Sequence, residues 1–482
     1  MLPFADLFPN LLPTVIVALG ALLSLALEPI LSIANKHRIL PWVAFAFLVG
    51  SAISTMLIQP GVAYNILAMD PTRSMLILVL LVCGALGIAG LATQLPRTDF
   101  RGGEPYALML LSLTGVMLMV QSVDLLALFV GMELSAIPIY ALVGLHRQST
   151  NANEGLFKYF ITGSLFSAVF LYGAALWYGS TGSTSMSAEV VNGREALHLL
   201  GFAFVVFALL FKAGAAPLHF WVADTYTGAS IPVTGFMSTT VKIGAFAGLG
   251  AFWLQVAAPS HFLDLGLPIQ ITGSLPLLSL WIFVAIGLAS IVVGAFSGLG
   301  QTKARRLMAF SAVANAGYLV LALLIPGTSG ASIGLSPLWF YLIAYALSSA
   351  IVLAGLSALA GTDEDDDSLG MLRGLGRQQP FLSAAITLGL ISLAGLPPAA
   401  GFLAKFGILA GLFSTGLVKT AAVALLLAVV SFAYYFKIVV AIWQAPTKDI
   451  QPRSFPPILG VTLVIGVFAL VAISLMPSLV GR

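Results

Sequence analysis

The chain has 482 residues, of which 59% are hydrophobic and only 8% charged, with a mean hydropathy of +1.04. Soluble domains carry about 25% charged residues, so this composition excludes a soluble enzyme and specifies a polytopic membrane protein. The formal charge of +3 is too small to suggest nucleic-acid binding, and the single cysteine, Cys83, excludes an internal disulfide and any cysteine-held zinc or iron–sulfur site.

The apolar runs are about 20 residues long, the length of a membrane helix rather than of a ~10-residue barrel strand. The expected fold class is therefore all-α. The N-terminus, MLPFADLFPN, has no basic n-region and reads as the start of the first span rather than a cleaved signal. In chain order, fourteen spans are predicted near 11–30, 40–60, 74–94, 105–121, 123–145, 155–179, 197–216, 231–257, 275–299, 306–326, 336–360, 381–411, 419–444 and 456–478. Spans four and five meet at Ser122–Asp124 with hardly any loop.

Loop charge tests this count. One side of the membrane receives twelve basic residues, among them Arg97, Arg147, Lys303, Arg305, Arg306, Arg373 and Arg377. The other receives Arg73, Arg194, Lys419 and Arg482. The positive-inside rule then puts both termini on the periplasmic face.

The remaining five basic residues lie inside the apolar runs, and all are lysines: Lys158, Lys212, Lys242, Lys405 and Lys437. Glu133 shares this setting in LFVGMELSAIPIYAL. A lysine at the bilayer centre costs at least ~2.5–3.5 kcal/mol, and such residues mark ion pathways. A desolvated lysine can release its proton, whereas arginine effectively cannot. A Lys–Glu pair in a low-dielectric space has two nearly balanced states, so small changes in separation or hydration load or release a proton. Glu133, Lys212, Lys242 and Lys405 are the candidates for that work, with His219, Lys158 and Lys437 as accessory relay groups. The bland alternative is structural ion pairing, or snorkelling of the stems to the interface, which fits Lys158 and Lys437 better than Lys212 or Lys242.

Two spans share a break. Ala213-Gly214-Ala215-Ala216-Pro217 follows Lys212 in span seven, and Ala394-Gly395-Leu396-Pro397-Pro398 interrupts span twelve. The five-span offset makes the copies antiparallel, and inverted repeats with Gly/Pro-interrupted helices are a transporter signature. Pro217, Pro397 and Pro398 free helix carbonyls, which survive at membrane depth only where protein or water covers them. Lys212 and His219 are therefore expected to border a hydrated pocket. His219 titrates near neutrality and could bridge lysines, or it is a hydrogen-bonded core histidine.

Glu154 and Lys158 stand i,i+4 on one helix face, a boundary ion pair or a relay. Asp224 reads as a cap for the loop after span seven. The run Asp363-Glu364-Asp365-Asp366-Asp367 reads as a solvated face, with docking or cation collection as the alternative. No nucleotide motif occurs, and the five histidines are scattered, so no redox centre, metal or cofactor is expected in this chain.

The motifs resemble the antiporter-like subunits of respiratory complex I over nearly the whole chain. The likeness rests on Glu133, on Lys212 followed by PLHFWVADTYTGASIPVTGFMSTTVKIGAF, on RRLMAFSAVANAGYLV at 305–320 and on SLAGLPPAAGFLAKFGIL at 392–409. Three features favour the subunit N branch over its relatives: the chain ends after span fourteen without a lateral helix, span twelve carries Lys405 where subunit M typically has glutamate, and RGLGRQQPFLSAAITLGLISLAGLPPAAGF is similar to the subunit N form. One departure is Asn315, where the tenth-span motif often has histidine. Asparagine there could only order water.

The resemblance implies helices 1–3 over 1–104, inverted five-helix repeats over 105–257 and 275–444, and a last helix over 456–478. It implies that Glu133 pairs electrostatically with Lys212, that Lys242 is the central relay, and that Lys405 is the terminal exchange site. It implies a proton-translocating subunit of NADH:quinone oxidoreductase in a bacterial inner membrane. FMN, iron–sulfur clusters, NADH and quinone would be held by partner subunits, and subunits M, K and J would be membrane neighbours. The competing readings are the D-type member of a multisubunit sodium/proton antiporter and a spacer with vestigial lysines.

Overall fold

A computed structural model describes residues 4–98, 100, 102–257, 277–325, 337–359, 367–445 and 454–480. Helices occupy all fourteen predicted stretches. The first seven stretches hold α1 (Phe4–Leu27), α2 (Ile33–Leu57), α3 (Pro71–Gln94), α4 (Glu104–Gln121), α5 (Leu125–Val143), α6 (Thr150–Thr181) and α7 (Glu195–Ala213); α8 (Val222–Gly228) lies in the connection that follows, and the eighth stretch holds α9 (Ile231–Phe236) and α10 (Lys242–Ala257). The rest hold α11 (Leu277–Leu299), α12 (Ala304–Ala322), α13 (Pro337–Leu359), the short α14 (Leu375–Gln378), α15 (Pro380–Ala394), α16 (Ala400–Ser414), α17 (Val418–Trp443) and α18 (Pro457–Leu475). Among the described residues, eleven helices are individually long and apolar enough to cross a membrane. The fold is that of an all-α polytopic membrane protein.

The bundle centres on α13, which is buried all round and packs on α3, α9, α15, α16 and α18. A helix that is apolar on every side belongs in such a place. Around it, adjacent helices pair as tight hairpins with glycines at the crossing. A Cβ on Gly115 of α4 would lie 2.6 Å from the carbonyl oxygen of Gly131 in α5, and one on Gly317 of α12 would lie 2.5 Å from that of Gly287 in α11. Lipid offers no hydrophobic drive between helices, so close backbone approach at small residues supplies the packing. Asp70 caps α3 through the Arg73 amide at 2.8 Å, and Asp124 caps α5 through the Leu126 and Ala127 amides at 2.9 and 3.1 Å.

Four features depart from the sequence reading. The eighth span is not one α-helix. Between α9 and α10 runs a π-turn, Met237–Val241, in which the Ser238, Thr239 and Thr240 hydroxyls donate to the Gly235 and Phe236 carbonyls. Those bonds compete with the regular ladder and widen the turn. A small antiparallel hairpin, β1 (Gly61–Ala63) and β2 (Leu67–Met69), precedes α3, with Tyr64 and Asn65 at φ +52° and +55° in its turn. Arginines are also not confined to loops: Arg73 lies in the first turn of α3 and Arg305 and Arg306 in that of α12.

The fourth departure concerns the acidic run. Asp363, Glu364, Asp365 and Asp366 lie outside the described residues. Asp367, read as part of a solvated face, is 1% exposed. Its oxygens accept from the Arg305 guanidinium at 3.0 and 3.1 Å and from the Arg305 amide at 2.8 Å. Arg305 also donates to the Thr227 and Ala229 carbonyls at 3.0 and 2.9 Å. A buried guanidinium is tolerated because its fork is filled.

Candidate functional site

Both predicted breaks are present, and they share one backbone design. Helix α7 ends on Gly214 (φ +71°) and α15 on Gly395 (φ +80°), each in the left-handed region that glycine enters at little cost. The residue after each glycine donates back to the carbonyl five positions earlier, Ala215 to Leu210 at 3.1 Å and Leu396 to Ile391 at 3.2 Å, which is the Schellman closure. Three residues beyond each glycine stands a cis proline, Pro217 or Pro398, with Pro397 immediately before the latter.

The freed carbonyls find different donors at the two breaks. At the first, the Trp221 indole adds a second donor, at 3.2 Å, to Phe211 O, which already accepts from the Gly214 amide at 3.0 Å, and the Ala216 amide donates to Ser290 Oγ of α11 at 2.8 Å. At the second, Lys405 of α16 reaches back, and its amine donates to Leu393 O at 2.8 Å and Ala394 O at 3.1 Å. A Cβ on Gly395 would lie 2.8 Å from Lys405 Cδ, so the glycine also makes room for the lysine stem.

Lys212, Lys242 and Lys405 are 6%, 3% and 6% exposed, and among the described residues none of the three makes an ion pair. Instead each faces a tyrosine ring: Lys212 lies 5.8 Å from the centroid of Tyr159, Lys242 5.1 Å from Tyr345, and Lys405 5.4 Å from Tyr318. Ring faces attract an ammonium when carboxylates are absent. The Lys242 amine also donates to Ala312 O of α12.

Two small cavities thread the lysines. The first is lined by Lys212, Gly214, Trp221, Tyr226 and Lys242 among others. The second is lined by Asn315, Tyr341, Tyr345, Ser348, Ser392 and Lys405 among others. Each leaves about 10 Å³ for the centre of a water, which is room for one molecule. Asn315, 3% exposed, has its carbonyl oxygen accepting from Tyr341 Oη at 2.5 Å and its amide donating to Ser311 O at 2.7 Å and Tyr435 Oη at 3.1 Å.

The other predicted residues sit apart. Glu133 is half-buried and accepts from Ser167 Oγ. Among the described residues it forms no ion pair with Lys212. Lys158 pairs with Glu154 and with Asp224, the latter at 2.6 Å. Asp224, read as a cap, instead lies inside α8 and bridges Lys158 to Arg306 at 3.2 Å, because α8 packs between α6 and α12. Lys437 donates to Leu299 O, the last carbonyl of α11. His219 does not line the first cavity, and its Nδ1 is buried without a protein partner. No group of three or more metal-ligating side chains occurs among the described residues.

The tyrosine rings, Ser167, and the Asn315–Tyr341–Tyr435 cluster escaped the sequence reading. A tyrosine in an apolar helix gives no sign of which lysine it faces.

The family described as NADH:quinone oxidoreductase/Mrp antiporter, TM, matches residues 122–431. A relative from Rhizobium meliloti, NADH-quinone oxidoreductase subunit N 2, is 30% identical over 97% of this chain and 94% of its own length. NADH-quinone oxidoreductase subunit N of Myxococcus xanthus is 32% identical over 93% and 90%. A chain in the structure of respiratory complex I from Thermus thermophilus with bound aureothin superposes with a TM-score of 0.79 at 31% identity, over 97% of this chain and 98% of that one. A chain of the Mrp complex from a Dietzia species reaches 0.79 at 21% identity over 98% and 96%, which shows the shared fold. The chain belongs to the antiporter-like membrane subunits of NADH:quinone oxidoreductase, in the subunit N group.

Proposed function

We propose that this chain translocates protons within an NADH:quinone oxidoreductase and holds no redox centre itself. The observation that carries this reading is the set of three buried amines beside two one-water cavities, with no carboxylate among the described residues in contact to fix their charge. A permanent ion pair would trap a proton, whereas an amine facing a carbonyl, a ring and a water has an exchange route.

In this reading Lys212 receives the proton under the field of Glu133, Lys242 is the central relay and Lys405 is the terminal exchange site. His219, with an unpartnered ring nitrogen beside the first break, orders water as an accessory group. Lys158 and Lys437 hold structure at the helix ends. Asn315 orders the water of the second cavity by fixing the Tyr341 and Tyr435 hydroxyls.

Quinone reduction in partner subunits, which hold FMN, iron–sulfur clusters, NADH and quinone, supplies the drive. The membrane neighbours are subunits M, K and J. The chain lies in a bacterial inner membrane with both termini on the periplasmic side, the orientation that the loop charges favour. The domain division into inverted repeats over 105–257 and 275–444 is supported by the repeated Gly–Pro break and the repeated glycine-packed hairpin.

The test is Lys242→Ala in the assembled complex in native membranes. Quinone reduction and NADH-driven proton pumping should fall together, because a coupled machine stalls when its relay is cut. Normal pumping by the assembled variant would end the relay reading.

A further inference from the structure

We infer that the ring of Tyr345 is a gate between the two cavities, and that it controls proton passage from Lys242 to Lys405. The inference rests on the relay reading of those two lysines and adds a residue that neither the motifs nor the family likeness points to.

Three placements carry it. Lys242 lines the first cavity, and its amine lies 5.1 Å from the centroid of the Tyr345 ring. Tyr345 also lines the second cavity, which it shares with Lys405. One side chain thus has the amine of one cavity on its face and borders the water space of the other. At 4% exposure the residue is shut off from the outer surface of the bundle. Its hydroxyl donates to Ser238 O at 3.0 Å, and Ser238 belongs to the π-turn that leads into Lys242. The ring and the lysine are therefore tied to the same irregular turn, and π-turns recur at functional sites.

The physics gives the gate its logic. A water thread open at all times between two relay lysines would let protons run back. An ammonium is attracted to a ring face by the ring quadrupole. While Lys242 is charged and Lys212 is not, that attraction holds the ring over the amine. When a proton arrives at Lys212 across the shared first cavity, like-charge repulsion in a low-dielectric space pushes the Lys242 ammonium off the ring. A water of the second cavity then reaches the amine. An N–H bond of Lys242 breaks as that water takes the proton, and the water passes a proton to the neutral amine of Lys405. Lys242 ends neutral and Lys405 charged, with the water regenerated.

The test compares Tyr345→Phe with Tyr345→Leu in the intact complex reconstituted into vesicles, reading protons moved per NADH oxidised and passive proton leak. The phenylalanine variant keeps the ring face and should keep the wild-type ratio. The leucine variant fills the site without a ring; NADH oxidation should persist while the ratio falls and the leak rises. Tyr345→Met serves the same arm should the leucine variant fail to assemble. A ring-less variant with wild-type ratio and leak, measured beside a Lys242→Ala complex that does not pump, would overturn the gate alone. Equal loss in the phenylalanine and leucine variants would also overturn it, since the hydroxyl would then be the active part. A Lys242→Ala complex that pumps normally would remove the relay reading and the gate with it.

Discussion

The two helix breaks share their backbone and differ in which side chain donates to the carbonyls at the helix end. At the first break a neutral indole, Trp221, covers Phe211 O, and Lys212 is left to face Tyr159 and the cavity. At the second the donor is the amine of Lys405 itself, held on Leu393 O and Ala394 O at the C-terminal end of α15, where the helix dipole favours its protonated form. The backbone design thus sets where a charge can be housed, while the capping donor decides whether the lysine is anchored or loose. In the proposed relay, Lys405 would serve as a holding point and Lys212 as a point of transit.

The first break is also pinned from outside by Arg305, which joins the end of α8 to Asp367. Removing the guanidinium with Arg305→Ala leaves the buried Asp367 carboxylate with only the residue-305 amide, and leaves two carbonyls unanswered. Breaking such a pair costs about 3–5 kcal/mol, so the assembled complex should be recovered poorly or melt well below wild type. An unchanged melting temperature would show that the first break needs no external pin.

Gly395→Ala comes next. A non-glycine residue in the left-handed region costs about 1–2 kcal/mol, and the new methyl also displaces the Lys405 stem, so pumping should fall along with stability. Gly214→Ala carries the same backbone cost, but its methyl would meet Val222 Cγ2 at 2.9 Å rather than a lysine. Its pumping should therefore suffer less at equal stability, and equal pumping loss in the two variants would erase the contrast.

The lysines themselves separate the breaks most directly. Lys405→Met orphans two buried carbonyls and should lower thermal stability by about 1–3 kcal/mol, whereas Lys212→Met orphans none and should melt like wild type. Both should stop pumping. Equal melting temperatures would show that Lys405 is not an anchor. Lys158→Gln should matter least: its pairs with Glu154 and Asp224 are 40% exposed at the lysine, and exposed pairs contribute about 0–1 kcal/mol. A large melting shift there would mean that the α6–α8 contact, rather than the Gly–Pro design, sets the first break.

The sequence made the helices and breaks legible because membrane physics writes them in residue type. A span must be long and apolar, a broken helix needs glycine and proline, and a deeply placed lysine stands out against an apolar background. What escaped depends on partners remote in the chain. Asp367 looks like its four neighbouring acids until Arg305, 62 positions away, is brought to it. The turn at Met237–Val241 carries no glycine or proline, and only its hydroxyl bonds reveal the widening. Tyr345 has no local mark, since its role comes from Lys242 on another helix.

The narrowness of the two cavities bears on ion selectivity. A gap that admits a single water cannot pass sodium with its hydration shell intact, and each cavity carries at least one lysine amine among its walls. In the proposed relay, whichever lysine is protonated adds an electrostatic barrier to any foreign cation. If the proposed relay runs through these cavities, a path of this width favours a charge that moves by exchanging bonds with water rather than by carrying its own atoms through the protein.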